Sequence, residues 1–146
     1  MGMIDRPTTR YVATLHVTIS EPFMVGPVGH RVRAVVPITG GTISGPGING
    51  EVVPGGFDWA WLDDDGCADV EAHYVLKLDD GSFATIVNAG SCVPVPGEDD
   101  TFSGKAVPRF ETGSQVYAWL NTSQFVCRFT SRMADGFVDL EVFVVD

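Results

Sequence analysis

The sequence has 146 residues, 45% of them hydrophobic, and a formal net charge of −10 at pH 7, with a pI near 4.5. That length fits one domain with a real core, and that apolar content excludes a disordered acidic tail. So acidic a surface repels phosphate backbones and anionic lipid, so neither nucleic acid nor membrane is expected as a partner.

In chain order, MGMIDRPTTR has no apolar signal core, and no apolar run approaches the ~18 residues of a membrane span. Residues 1–9 read as a flexible N-terminal segment of a single domain covering 1–146. Cys67, Cys92 and Cys127 are odd in number, widely spaced and form no CxxC pair, so a reduced, cytoplasmic setting is expected. From Tyr11 onward the dominant signal is period two. It runs through YVATLHVTI (11–19), RVRAVVPI (31–38), FDWAWL (57–62), DVEAHYVLKL (69–78), SFATIVNA (82–89), QVYAWL (115–120), QFVCRFTSR (124–132) and FVDLEVFVV (137–145). Such alternation marks half-buried strands. Asn49-Gly50, Asp65-Gly66, Asp80-Gly81 and Asp135-Gly136 fall between these runs and supply the backbone freedom of tight hairpins. The expected fold is all-β: a single antiparallel closed or nearly closed β-barrel of about 8–10 strands in meander order, with little helix. Closure removes exposed edges. The stretch SCVPVPGEDDTFSGKAVPRF, 91–110, reads as a long loop, either plain surface or a flap over a barrel mouth.

PITGGTISGPGINGEVVPGGFDW (37–59), VEAHYVLKLDDG (70–81), NAG (88–90) and FETGSQVYAWLN (110–121) followed by an FV pair form a combined signature. It resembles domain-of-unknown-function family 3237 (DUF 3237, also called UPF 0311), small bacterial and fungal proteins, over blocks from about Leu15 to about Val145. The resemblance implies a single antiparallel β-barrel and assigns no chemistry. The family's Asp-Trp pair is kept at Asp58-Trp59. Its Asp-x-Arg-Tyr is Glu71-Ala72-His73-Tyr74 here, so the acid is lengthened and the arginine becomes histidine. Where the family commonly has a glycine after the FV pair, this chain has Cys127-Arg128-Phe129.

Three constellations could carry chemistry. Strand phase puts Asp58, Ala60 and Leu62 opposite Phe57, Trp59 and Trp61. If the rings form the core, Asp58 faces solvent. If Asp58 faces the barrel interior, it lies beside small residues that leave room for a ligand; the retained Asp-Trp pair of the family leans that way. Glu71 and His73 share a strand face, either as an acid/base pair in which Glu71 orients His73 or as an exposed polar surface. Tyr74 lies on the other face. Tyr117, Trp119 and Asn121 would share a face, the tyrosine and asparagine holding a carbonyl or enolate oxygen and the tryptophan forming a flat wall. They could equally be core residues and a turn, and Asn88 could be a turn residue or a polar group at the rim.

The run Asp63-Asp64-Asp65-Gly66 lacks the ligand spacing and terminal glutamate of a calcium loop. His16, His30 and His73 form no metal motif, so no metal is expected. The expected catalytic residues are Asp58, Glu71 and His73. Trp59, Tyr74, Asn88, Tyr117, Trp119 and Asn121 would bind substrate, with no cofactor. The expected function is a cofactor-independent enzyme of secondary or catabolic metabolism. It would perform isomerisation, hydration or elimination, or cyclisation on an apolar or aromatic carbonyl compound. The alternative is a non-catalytic ligand-binding barrel or an oligomeric structural module. The expected partners are a small-molecule ligand and, given exposed strands and tryptophans, a second copy in a homodimer.

Overall fold

The structure, a computed structural model, describes residues 4–146. It contains β1 (Thr9–Ile19), β2 (Phe23–Val28), β3 (Arg31–Ser44), β4 (Asn49–Leu62), β5 (Ala68–Leu78), β6 (Phe83–Pro94), β7 (Thr101–Thr112), β8 (Phe125–Arg132) and β9 (Phe137–Val145). From β3 to β9 each strand pairs antiparallel with the next, and β9 returns to β1. β3 is long enough to serve two partners. Its Arg31–Val35 stretch pairs with β2, and its Ile38–Ser44 stretch pairs with β1. The second pairing closes an eight-stranded barrel and leaves β2 as an extra strand outside it. This is the expected all-β barrel. Among the described residues, no helix is long and apolar enough to cross a membrane.

The period-two pattern works as the pleat demands. On β5, Tyr74, Leu76 and Leu78 are buried while Glu71, His73 and Lys77 are exposed. Across the β4–β5 ladder, pairing jumps from Val53–Val75 to Phe57–His73, so Pro54, Gly55 and Gly56 bulge opposite the single residue Tyr74. Gly55 has φ +115°, and a Cβ on Gly56 would sit 2.5 Å from the Tyr74 Cβ. Only glycines let the wall bend there and still meet β5.

One end of the barrel is packed. Leu15, Ile43, Leu76, Ile86 and Val142 are among its largest fully buried side chains, each worth roughly 1.5–3 kcal/mol of burial. A short 3-10 turn, Ala118–Asn121, covers this end. It buries Leu120, and the adjacent buried Tyr117 donates its hydroxyl proton to the Asp79 carboxylate.

Several expectations are corrected. Most of 91–110 is strand: β6 runs to Pro94 and β7 starts at Thr101. Its prolines and glycines masked a strand whose Pro108 lies beyond Ala106, the last β7 residue paired with β8, where a missing N–H is tolerated. QVYAWL is turn and 3-10 helix, not strand, so its aromatics do not alternate across a pleat. Asn49-Gly50 opens β4 instead of turning; Gly66, Gly81 and Gly136 do turn, with φ of +85°, +84° and +78°. Of the N-terminal segment 1–9, residues 1–3 lie outside the described residues. Thr8 already exchanges backbone bonds of 3.1 and 2.8 Å with Asp146.

Candidate active site

The other end of the barrel is hollow. Ala34, Ala60 and Ala68 line it from β3, β4 and β5, where larger side chains would fill the space. The cavity they leave is about 680 Å³, walled by Val36, Leu62, Val70, Phe102 and Phe129 among others. Its rim carries Glu21, Asp100 and Asp135, and among the described residues no lysine, arginine or histidine lines it. Gly104 makes one wall possible, because a Cβ there would lie 2.2 Å from the Phe129 ring.

Asp58 points into this space. It lines the open cavity and also an adjoining narrow chamber of about 40 Å³. The chamber is lined by Ile38, Ala72, Tyr74, Asn88 and Leu140, among others. The Asp58 Oδ1 is sealed from solvent and has no hydrogen-bond partner. Burial pushes the carboxyl up to about 6, against a hydrogen bond from the Glu71 backbone that pulls it down. The ladder explains the grouping: Asp58 lies opposite Ala72, and Ala72 opposite Asn88, so the three form a row across β4, β5 and β6.

Tyr74 and Asn88 are each only 5% exposed. The Tyr74 hydroxyl has no partner, and burial raises its pKa far above its ordinary value, so it stays neutral. Asn88 donates from Nδ2 to Cys127 Sγ at 3.8 Å and leaves its Oδ1 unpaired. Burial pushes the Cys92 and Cys127 thiols up to about 11, so neither supplies thiolate at neutral pH.

The structure thus brings together Asp58, Tyr74 and Asn88 and separates the other expected site residues from them. Glu71 and His73 hydrogen-bond each other at 2.9 Å on the outer wall. Trp59 lies on that wall too, 46% exposed, beside Arg33, which stacks on Trp61 at 3.6 Å. The reason is the pleat: with Asp58 and Tyr74 pointing in, their chain neighbours Trp59 and His73 must point out. Tyr117, Trp119 and Asn121 sit at the packed end. Asn121 bonds both the N–H and the C=O of Thr112, at 2.8 and 2.9 Å, and Trp119 tilts against Phe125.

The aspartate run is absorbed locally. Asp63 pairs with Arg31 at 2.8 Å, and the Asp65 side chain accepts the Cys67 amide at 2.9 Å. Among the described residues, no group of three His, Cys, Asp or Glu side chains could hold a metal ion. The cavity residues missed in the sequence are Phe102, Phe129, Ser131 and the rim carboxylates. Phe102 lies in the stretch read as a loop, as does Gly104, so the sequence offered no signal for that wall.

Comparison with known proteins places this chain in a family. A family model described as "Protein of unknown function (DUF3237)" matches residues 7–145. A UPF0311 protein of Rhodopseudomonas palustris is 33% identical over 129 residues, covering 81% of this chain and 84% of the relative. The crystal structure of a protein of unknown function from Clostridium acetobutylicum superposes with a TM-score of 0.89 at 28% identity, covering 99% of this chain and 100% of that one. The "Hydroalkoxylation enzyme phnH" of Penicillium herquei is 25% identical over 115 residues, covering 79% of this chain and 69% of the relative. The extent of the family match and the identity to the Rhodopseudomonas relative settle the assignment: the chain belongs to the DUF3237 family.

Proposed function

We propose that the protein is a cofactor-independent enzyme in which Asp58 moves a proton on an apolar, uncharged small molecule held in the open end of the barrel. One observation carries this reading: a half-buried aspartate at the floor of an apolar cavity, its Oδ1 sealed from solvent without a partner and its carboxyl pushed up to about 6. With that value about a tenth of the carboxyl is protonated at pH 7, so both the acid and the base form are available. The wall favours an apolar body, and the acidic rim disfavours carboxylates and phosphates.

The reactions that suit such a group need only proton transfer and shape: isomerisation, addition or elimination across a double bond, or cyclisation of an unsaturated or aromatic carbonyl compound. In an addition, Asp58 as acid gives its proton to one alkene carbon. An oxygen nucleophile forms a C–O bond to the other carbon, and its proton returns to the Asp58 carboxylate. No electrons are gained or lost overall. The Penicillium relative named as a hydroalkoxylation enzyme supports this class, since hydroalkoxylation adds O–H across C=C in this way. Glu71 and His73, on the outer wall, have no part in this reading.

The test is to incubate the protein in D2O with a panel of alkenyl phenols and enolisable aryl ketones and follow deuterium entry at carbon by NMR. Incorporation that disappears in a folded Asp58→Asn variant supports the reading. Incorporation unchanged in that variant refutes it, and binding without incorporation across the panel would make the barrel a carrier.

A further inference from the structure

We propose that the narrow chamber beside Asp58 is a subsite for the hydroxyl group of an alcohol or phenol, whose apolar body lies in the open cavity. Among the described residues, the buried side-chain oxygens or nitrogens with no partner are Asp58 Oδ1, Tyr74 OH and Asn88 Oδ1, and all three residues line this one chamber. Orphaned buried polar atoms are rare because their desolvation goes uncompensated. Three of them around one space point to a ligand that completes them.

Their chemistry selects that ligand. Tyr74, held neutral, offers an O–H donor. The Asn88 orientation follows from Cys127: its thiol donates to the Arg128 carbonyl at 3.6 Å, so its sulfur lone pairs face the Asn88 amide nitrogen. Oδ1 is therefore the atom left over, and it accepts. The chamber needs a group that accepts from Tyr74 and donates to Asn88 or Asp58. A hydroxyl does both. A ketone or ether leaves the Asn88 Oδ1 without a donor, an ammonium gives the Tyr74 O–H no acceptor, and a carboxylate meets the Asp58 charge.

Size agrees. About 40 Å³ is room for a hydroxyl group. The ring would stay in the larger cavity, which shares Ile19, Asp58, Val70, Phe129 and Val138 as walls with the chamber. Asp58 then stands between the hydroxyl and the apolar body, where the reading of it as an acid and base needs it; the catalytic consequence rests on that reading, the binding does not.

The experiment uses phenol, anisole and toluene, one ring with a hydroxyl, an acceptor alone or neither. Binding to the wild-type protein, Tyr74→Phe and Asn88→Leu is measured by calorimetry, and phenol is located in soaked wild-type crystals. Phenol's affinity relative to toluene should fall at least tenfold in both variants, and the phenol oxygen should lie within hydrogen-bond reach of Tyr74 and Asn88. Tyr74→Phe removes only an unpaired hydroxyl, so it should remain folded, and the crystal location depends on no variant. Unchanged relative affinity in both variants, or phenol with its hydroxyl toward the mouth and only water in the chamber, overturns the proposal. If the chamber fails while Asp58→Asn still stops deuterium incorporation, the acid/base reading survives alone. If phenol occupies the chamber and Asp58→Asn is fully active, the subsite stands and the acid/base reading falls.

Discussion

Asp58→Asn should make the protein more stable, and the gain should depend on pH. The folded carboxyl stands at about 6, against an ordinary value of 3.8. Each pH unit between the two is worth about 1.4 kcal/mol, so the ionised carboxylate costs the fold about 3 kcal/mol. The sign follows from the raised value. Below pH 3.8 the carboxyl is protonated in both folded and unfolded chains, and no cost exists. As pH rises through 3.8 the unfolded chain ionises first and stability falls; above about 6 the folded chain ionises too and the loss levels off. Asparagine keeps the shape and never ionises. For 146 residues the unfolding entropy is about 0.3 kcal/mol/K, so the loss amounts to roughly 10 °C in Tm. Urea or thermal unfolding of both proteins from pH 3.5 to 8 measures it. The stability of Asp58→Asn relative to wild type should rise by about 3 kcal/mol across that range. A difference that stays flat with pH would show that Asp58 is solvated in the folded protein and would refute the argument from burial.

Other consequences follow from the same geometry. Ala60→Leu should fill the mouth cavity, weakening binding of an apolar ligand at least tenfold by calorimetry while leaving Tm equal or higher, because the side chain enters existing space. Glu71→Gln and His73→Gln should leave deuterium incorporation within about twofold of wild type; a large loss would bring the outer wall into the chemistry. Tyr117→Phe removes the bond to Asp79 at the packed end and should lower stability by about 1 kcal/mol in urea unfolding, without changing ligand affinity. Benzyl alcohol should bind more tightly than benzoate above pH 6, since the acidic rim and Asp58 repel the carboxylate; equal affinities would contradict the electrostatic reading of the rim.

Much of the barrel is legible in the letters because period two and the Asp-Gly turns are local. DVEAHYVLKL and FVDLEVFVV each carry their own strand assignment. QVYAWL shows the limit. Its alternation mimics a strand, yet the chain turns there because Tyr117 and Leu120 are needed to cover the barrel end, a tertiary demand no short window contains. β7 was obscured in the opposite way, by prolines and charges suited to a loop. The site was half legible. Phase separates Asp58 from Trp59 and His73 from Tyr74, so the expected set could not all face one cavity. Which face is inside depends on closure of the whole sheet, and the meeting of Asp58 with Asn88 depends on a register running through β5.

The most direct test of the central claim is the titration of Asp58 itself, followed by carbon NMR of protein labelled at the aspartate side-chain carboxyls and assigned by the signal lost in Asp58→Asn. The account predicts a midpoint at about 6. A midpoint at the ordinary 3.8 would contradict it, leaving the carboxyl fully ionised at neutral pH and without a proton to give.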